Sequence, residues 1–316
     1  MTNTRDLDVT LECRLLTIGR GSFASVSVLT GHPIAFKHVI LPERSQELQR
    51  EFDILRSMHD SCTNTDSVFA IPRPFAFYDP SVPASFVAPP RSSHSTSHPR
   101  RPLRPHKLFY PPSSSVAARL PSLCRIYFGK VISQVGKDER PNRFLNSANF
   151  PLDVNRYRMI KELDHADDCG YPDVQEIVFG MGEMLGRLHW RAGYDARDVE
   201  FVMGGASFSG VALFVIDFNQ MRTWKRTKEE IPTLVEAFFI NDPYYPRPDP
   251  NDPLYVQFKT GYLTVYPQDV TDLGEAFCIP LKLNNSDDIV FQVLADNRMA
   301  LGPHPVSFLL GRFEDR

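Results

Sequence analysis

The sequence predicts an α+β fold, with strands gathered near the N-terminus and helices filling most of the remainder. Three observations lead there. Residues 11 to 40 alternate short apolar runs with glycine-bearing turns, which is the pattern of an antiparallel meander. From Asp173 to Trp190, the apolar residues Val174, Ile177, Val178, Met181, Leu185 and Leu188 recur on one helical face. Two acids, Glu200 and Asp217, fall at the ends of neighbouring predicted strands, with Asp195 close by in sequence. Such a group of carboxylates suits a divalent metal, because Mg²⁺ takes oxygen ligands from one or two carboxylates plus substrate phosphates.

Composition narrows the class. The 316 residues suffice for one large domain or two lobes. At 42% hydrophobic and 23% charged, the chain resembles an ordinary globular protein. A formal charge of -3 argues against a nucleic-acid or membrane-surface binder as a whole. No apolar run reaches the roughly 18 residues of a transmembrane helix. The polar, acidic start MTNTRDLDVTLE reads as neither a secretory signal nor a transit peptide. The five cysteines, Cys13, Cys62, Cys124, Cys169 and Cys278, are scattered without C-x-x-C spacing. They read as reduced thiols of a cytoplasmic or nuclear protein, not as zinc ligands.

The elements are taken in chain order. Leu11 to Ile18 is a strand. Gly19-Arg20-Gly21-Ser22-Phe23-Ala24-Ser25-Val26 forms a glycine turn leading into a second strand that ends at Leu29. After a turn at Thr30-Gly31, a third strand, Ile34 to Ile40, carries Lys37. Glycine lets backbone N–H groups approach a phosphate with no Cβ in the way. A helix over Ser45 to Met58 places Leu48, Phe52 and Leu55 on one face. Phe69 to Tyr78 is strand material interrupted by prolines. The segment 80–122 is rich in Pro, Ser, Arg and His and reads as a disordered, solvated insertion; the alternative is a basic docking or nuclear-import tract around Arg100, Arg101, Arg104 and Lys107.

Cys124 to Val131 resumes as a buried strand with a bend at Gly129. An aromatic connector, Asn142 to Leu152, precedes a short helix from Asp153 to Leu163. Pro172 and Asp173 then start the main helix, whose last turn carries His189, a packed residue or a catalytic one. Beyond Gly193 come Asp195, Glu200 and a short strand, a Gly204-Gly205 turn, and the strand Val211 to Ile216 ending on Asp217. Lys225 to Ile240 is a second amphipathic helix. Asn-Asp-Pro recurs at Asn241 and Asn251 as a turn-forming unit. The tail holds one or two helices, including Asp287 to Asn297.

Two resemblances rest on these residues. Gly19 to Val26 resembles the glycine-rich loop of protein kinases, with Ala24 at the third glycine position, and Ala35-Phe36-Lys37 resembles the lysine-bearing strand that comes after it. The resemblance implies a two-lobed kinase-like fold. Its small antiparallel-sheet lobe would span 1–131, with the insertion at 80–122, and a mainly helical large lobe would span 132–316. Glu51 then matches the acid that pairs with the lysine, with Glu47 in reserve. Asp195 matches the catalytic aspartate, Glu200 stands where an asparagine normally binds metal, and Asp217 matches the metal-binding aspartate. Asp198, one turn from Asp195, is its alternative. Gly193-Tyr194-Asp195 replaces the usual His-Arg-Asp, and Ile216-Asp217-Phe218 is closer to aminoglycoside and choline phosphotransferases.

The second resemblance covers roughly Cys124 to Tyr262, through CRIYFGK, FPLDV, LHWRAGYDARDVEFVMGG and FFINDPYYPRP. It is to an uncharacterised fungal domain family whose members are often labelled zinc-finger proteins. Together the resemblances imply ATP and Mg²⁺ as cofactors. Gly19, Gly21, Ser22, Phe23, Val26 and Lys37 would bind the nucleotide, Lys37, Glu51 and Asp195 would carry catalysis, and Asp217 and Glu200 would hold the metal. The expected activity is phosphoryl transfer to a small-molecule or protein acceptor. The alternative is a kinase-shaped binding or scaffold protein without turnover. The basic insertion would recruit a protein partner; membranes and sequence-specific nucleic acid are not expected partners.

Overall fold

A computed structural model describes residues 15–20, 22–29, 34–63, 66–79, 123–132, 149–163, 170–205, 211–241 and 243–283. Gly21, the basic insertion, Cys13, Cys169 and the predicted helix at Asp287 to Asn297 lie outside the described residues. The described part is mixed α/β, with a small antiparallel sheet, a larger mixed sheet, and helices that pack on both sheets and on one another.

The small sheet has the order β1-β2-β3, from β1 (Leu15–Arg20), β2 (Ala24–Leu29) and β3 (Ala35–Val39). All pairs are antiparallel. The first glycine of the loop belongs to the strand: Gly19 pairs with Val26, after a bulge between Thr17 and Gly19. The register then sets Val26 beside Lys37.

α1 (Ser45–Cys62) comes after a single turn of 3₁₀ helix at Pro42–Arg44. It buries Glu51, Ile54, Met58 and Cys62. The expected face, Leu48, Phe52 and Leu55, is only half-buried. The helix is rotated so that a carboxylate points inward, and a cation on β3 pairs with it there.

The second sheet contains β4 (Phe69–Ala70), β5 (Leu123–Ile126), β6 (Asn149–Leu152), β7 (Glu200–Gly205) and β8 (Val211–Ile216), in the order β4-β8-β7-β5-β6. β4 runs parallel to β8 and β5 parallel to β6, while β7 is antiparallel to both its neighbours. The strands near Phe69 and Cys124, expected beside the small sheet, pair here instead. Only two residues of the Phe69 segment join the ladder, because Pro72 and Pro74 have no N–H to donate.

The helices are α2 (Val154–Leu163), α3 (Val174–Gly186), α4 (Ile231–Ile240), α5 (Pro253–Leu263) and α6 (Thr271–Leu283). α3 opens with a capping box, in which Asp173 N–H donates to the Glu176 carboxylate at 2.6 Å. Every apolar residue of its predicted face is buried. Its last turn widens into a π-helix, Arg187–Ala192, which ends at Gly193 with φ +76°. α4 starts later than predicted, after a 3₁₀ turn at Lys228–Glu230, with Pro232 in its first turn.

α3 and α5 cross with their backbones almost touching. A Cβ on Gly182 would lie 2.0 Å from the Phe258 carbonyl oxygen, and one on Gly261 would lie 2.1 Å from that of Phe179. Glycine inside a helix costs roughly 0.5–1 kcal/mol relative to alanine, and this approach is what it permits. Among the described residues, no helix is long and apolar enough to cross a membrane.

Candidate functional site

β3, α1 and the end of β8 converge on one ammonium group. Lys37 Nζ is ion-paired with Glu51 Oε1 and lies 3.4 Å from Asp217 Oδ1. The Glu51 side chain is 9% exposed, whereas Lys37 and Asp217 are 29% and 33% exposed. The cation therefore bridges an interior acid and an accessible one. Burial pushes the Glu51 carboxyl above its ordinary range, and Lys37 opposes that shift. Its Oε2 is buried without a hydrogen-bond partner among the described residues. Glu47, the reserve candidate, pairs with Arg44 at 2.6 Å instead.

The loop tip folds onto this group. Phe23 is buried and its carbonyl accepts the Ile40 N–H at 3.1 Å. Its ring centroid lies 5.8 Å from Lys37 Nζ and 4.6 Å from Arg44 Cζ, within cation–π range. Ser22 is exposed and Val26 half-buried.

Backbone strain gathers around the acids. The described non-glycine residues with positive φ are Ala196 (55°), Asp198 (63°), Asp217 (67°) and Arg226 (59°). The left-handed region is costly for residues with a Cβ, and strained residues cluster at functional sites. Asn241 holds the first of these turns: its Nδ2 donates to the Ala196 carbonyl at 2.7 Å, and its Oδ1 accepts the Asp198 N–H at 2.5 Å.

The two candidate aspartates of that turn differ sharply. Asp195 has no exposed side-chain surface. Its Oδ1 accepts the N–H groups of Arg197 (3.1 Å) and Arg222 (2.9 Å), and its Oδ2 accepts Arg222 Nε at 2.6 Å. Arg222 and Arg197 both continue to Glu236, at 3.2 and 3.1 Å. Asp198 is partly exposed and is hydrogen-bonded by Gln220 Nε2. Burial, then the charges of Asp217 and Glu200, raise its carboxyl to about 6.

β7 and β8 pair Glu200 with Ile216, so Glu200 and Asp217 lie at the same end of the hairpin. Glu200 does not stand free: its Oε2 is 2.8 Å from an Arg125 guanidinium nitrogen on β5. Burial works against the Arg125 charge, but Glu200 outweighs it and holds the guanidinium above its ordinary value. Among the described residues, no three His, Cys, Asp or Glu side chains group closely enough to hold a metal by themselves. His189 is buried, with Nδ1 2.9 Å from the Tyr262 hydroxyl, and burial lowers its pKa to about 3. It is a packed, neutral residue.

Arg125, Arg222, Gln220 and Asn241 were not legible as site residues. Asn241 alone carried a signal, in its Asn-Asp-Pro repeat, and it read only as a turn.

Residues 213–268 match a family model described as DUF3669, zinc finger protein. No curated protein and no solved structure matches the chain. The match runs from β8 through α5 and includes Asp217, Arg222 and Asn241, so the resemblance to an uncharacterised domain family holds over that stretch. The zinc description finds little support in the described cysteines. Cys62, Cys124 and Cys278 are buried free thiols, and burial pushes Cys62 and Cys124 up to about 12.

Proposed function

We propose that this chain is an ATP- and Mg²⁺-dependent phosphotransferase built on a two-lobed kinase-like plan. The observation that carries the reading is the meeting of Lys37, Glu51 and Asp217 from three distant segments. A lysine held by a buried glutamate presents a fixed positive charge, which suits nucleotide phosphates. Asp217, more exposed and strained into place, is the carboxylate available to Mg²⁺, with phosphate oxygens completing the coordination. The strand pair around Gly19 to Val26 forms the roof over this charge. Phosphoryl transfer demands mainly positioning and charge stabilisation, so few groups are required. Asp198 is the open carboxylate for the acceptor hydroxyl, and Asp195 holds the loop that carries it.

A thermal shift with ATP, with and without Mg²⁺, tests the reading on wild type, Lys37→Ala and Asp217→Asn. Wild type gains stability only with both present, Lys37→Ala loses the gain, and Asp217→Asn loses its metal dependence. No shift at millimolar ATP and Mg²⁺ for a folded wild type refutes it. A second reading, nucleotide binding without turnover, draws on the engagement of Asp195 by Arg222 and of Glu200 by Arg125. ATP-dependent stabilisation with no phosphate release or transfer would select it.

A further inference from the structure

Two guanidinium groups from separate segments close on one exposed carboxylate beside the strained turn. Arg197 Nη1 lies 3.1 Å from Glu236 Oε1, and Arg222 Nη2 lies 3.2 Å from Glu236 Oε2. Each oxygen of that carboxylate therefore has its own arginine. Glu236 stands on the outer face of α4 and is 48% exposed. Arg222 comes after β8 and is held through Asp195, which accepts both its backbone N–H and its Nε. Arg197 is the residue between Ala196 and Asp198, which both have positive φ. Asn241 holds the turn on either side of it, through the Ala196 carbonyl and the Asp198 N–H. Such strain costs free energy and persists where the surrounding structure imposes it; here it presents the Arg197 side chain. Buried Asp195 neutralises one of the two guanidiniums. The second is balanced by Glu236, and an exposed pair of this kind is weak and easily exchanged. Guanidinium forks match the oxygens of carboxylate and phosphate groups. Glu236 thus occupies a seat that suits a free oxyanion. Arg197 also adjoins Asp198, the open carboxylate, and its charge acts on that group.

We propose that Arg197 and Arg222 form an oxyanion seat, in which Glu236 is an internal place-holder that swings out when a phosphate or carboxylate group of the acceptor takes its place. The acceptor is then an anionic molecule that offers its hydroxyl to Asp198. That last assignment rests on the phosphotransferase reading; the seat itself does not. Arg197 carries the recognition, because Arg222 is already committed to Asp195 through its Nε. Removing the Glu236 charge empties the seat without touching the nucleotide side of the site.

Isothermal titration of the full chain with inorganic phosphate, and separately with acetate, at constant ionic strength tests the seat. Melting temperatures identify the variants that fold. Glu236→Gln binds one or both anions at least ~5-fold tighter than wild type, the scale of one like charge removed from a few ångströms away near the surface. Arg197→Gln in that background loses the gain, and Arg197→Lys, which keeps the charge, retains most of it. Lys37→Ala in the same background leaves the gain intact, which separates the seat from the group that meets nucleotide phosphates. Equal affinities in wild type and Glu236→Gln overturn the proposal. So does a gain that survives Arg197→Gln, a gain lost in Lys37→Ala, or the absence of anion binding in folded Glu236→Gln. If ATP and Mg²⁺ stabilise the chain while neither anion responds to Glu236→Gln, the seat falls and the phosphotransferase reading stands. If Glu236→Gln gains anion binding through Arg197 while ATP and Mg²⁺ leave the chain unchanged, the seat stands and that reading falls.

Discussion

Replacing Arg222 by alanine separates the structural role of Asp195 from a chemical one. Asp195 is wholly buried and accepts three hydrogen bonds, two from backbone N–H groups and one from Arg222 Nε at 2.6 Å. Alanine keeps both backbone donors and removes the side-chain cation that donates to Oδ2. A hydrogen bond to a charged group contributes about 1.5–3 kcal/mol. Breaking a buried ion pair outright costs about 3–5 kcal/mol. The side chain of Arg222 is 40% exposed, so solvent screening lowers the upper figure. The exposed Glu236 contact adds at most ~1 kcal/mol. The expected destabilisation is therefore about 2–3 kcal/mol, or roughly 3–5 °C in melting temperature for a chain of this size.

Urea denaturation followed by tryptophan fluorescence suits the measurement. Trp224 lies beside the altered residue and its indole N–H donates to the His189 carbonyl at 2.7 Å. The double variant Arg222→Ala, Asp195→Asn closes a thermodynamic cycle. Neutralising Asp195 relieves the uncompensated charge, so the double variant is at least ~1 kcal/mol more stable than additivity requires. An Arg222→Ala change under about 0.5 kcal/mol, or strict additivity in the cycle, refutes the reasoning.

Two other residues give outcomes of their own. Asp198 has a folded-state pKa raised to about 6, so the folded chain binds more protons than the unfolded chain between pH 4 and 6. Stability should fall as pH rises through that window, and Asp198→Asn should remove the loss. Discounted for exposure, the variant gains about 1 kcal/mol over wild type above pH 6 and nothing near pH 4, measured by denaturation at each pH. Gly182→Ala should destabilise by about 3 kcal/mol despite the better helix propensity of alanine, because the new Cβ meets the Phe258 carbonyl. An unchanged or higher melting temperature would mean that α3 and α5 are not so close.

Much of the local structure is legible in the sequence. β8 lies where the apolar run Val211 to Ile216 placed it, and α3 buries the whole predicted face. Periodicity and capping are local properties, so the chain states them directly. The meeting of Lys37 with Glu51 was expected from a resemblance, and the rotation of α1 that allows it reverses what its apolar spacing suggested. Hydrophobic spacing counts only apolar residues, so it could not anticipate a glutamate on the inner face.

By itself, then, the sequence determined the strand–turn–strand start, the main helix, the β7–β8 hairpin and the residue types gathered near its end. Those arise from side-chain periodicity and caps within a few residues of each other, although Gly204 and Gly205, expected as a turn, lie in β7 paired with Ala212 and Val211. Only the tertiary structure decided which charges meet. It closed Asp195 behind Arg222, left Asp198 open, tied Glu200 to Arg125 and carried Asn241 back to hold the strained turn. These pairs span tens of residues, and burial and charge act through space, not along the chain.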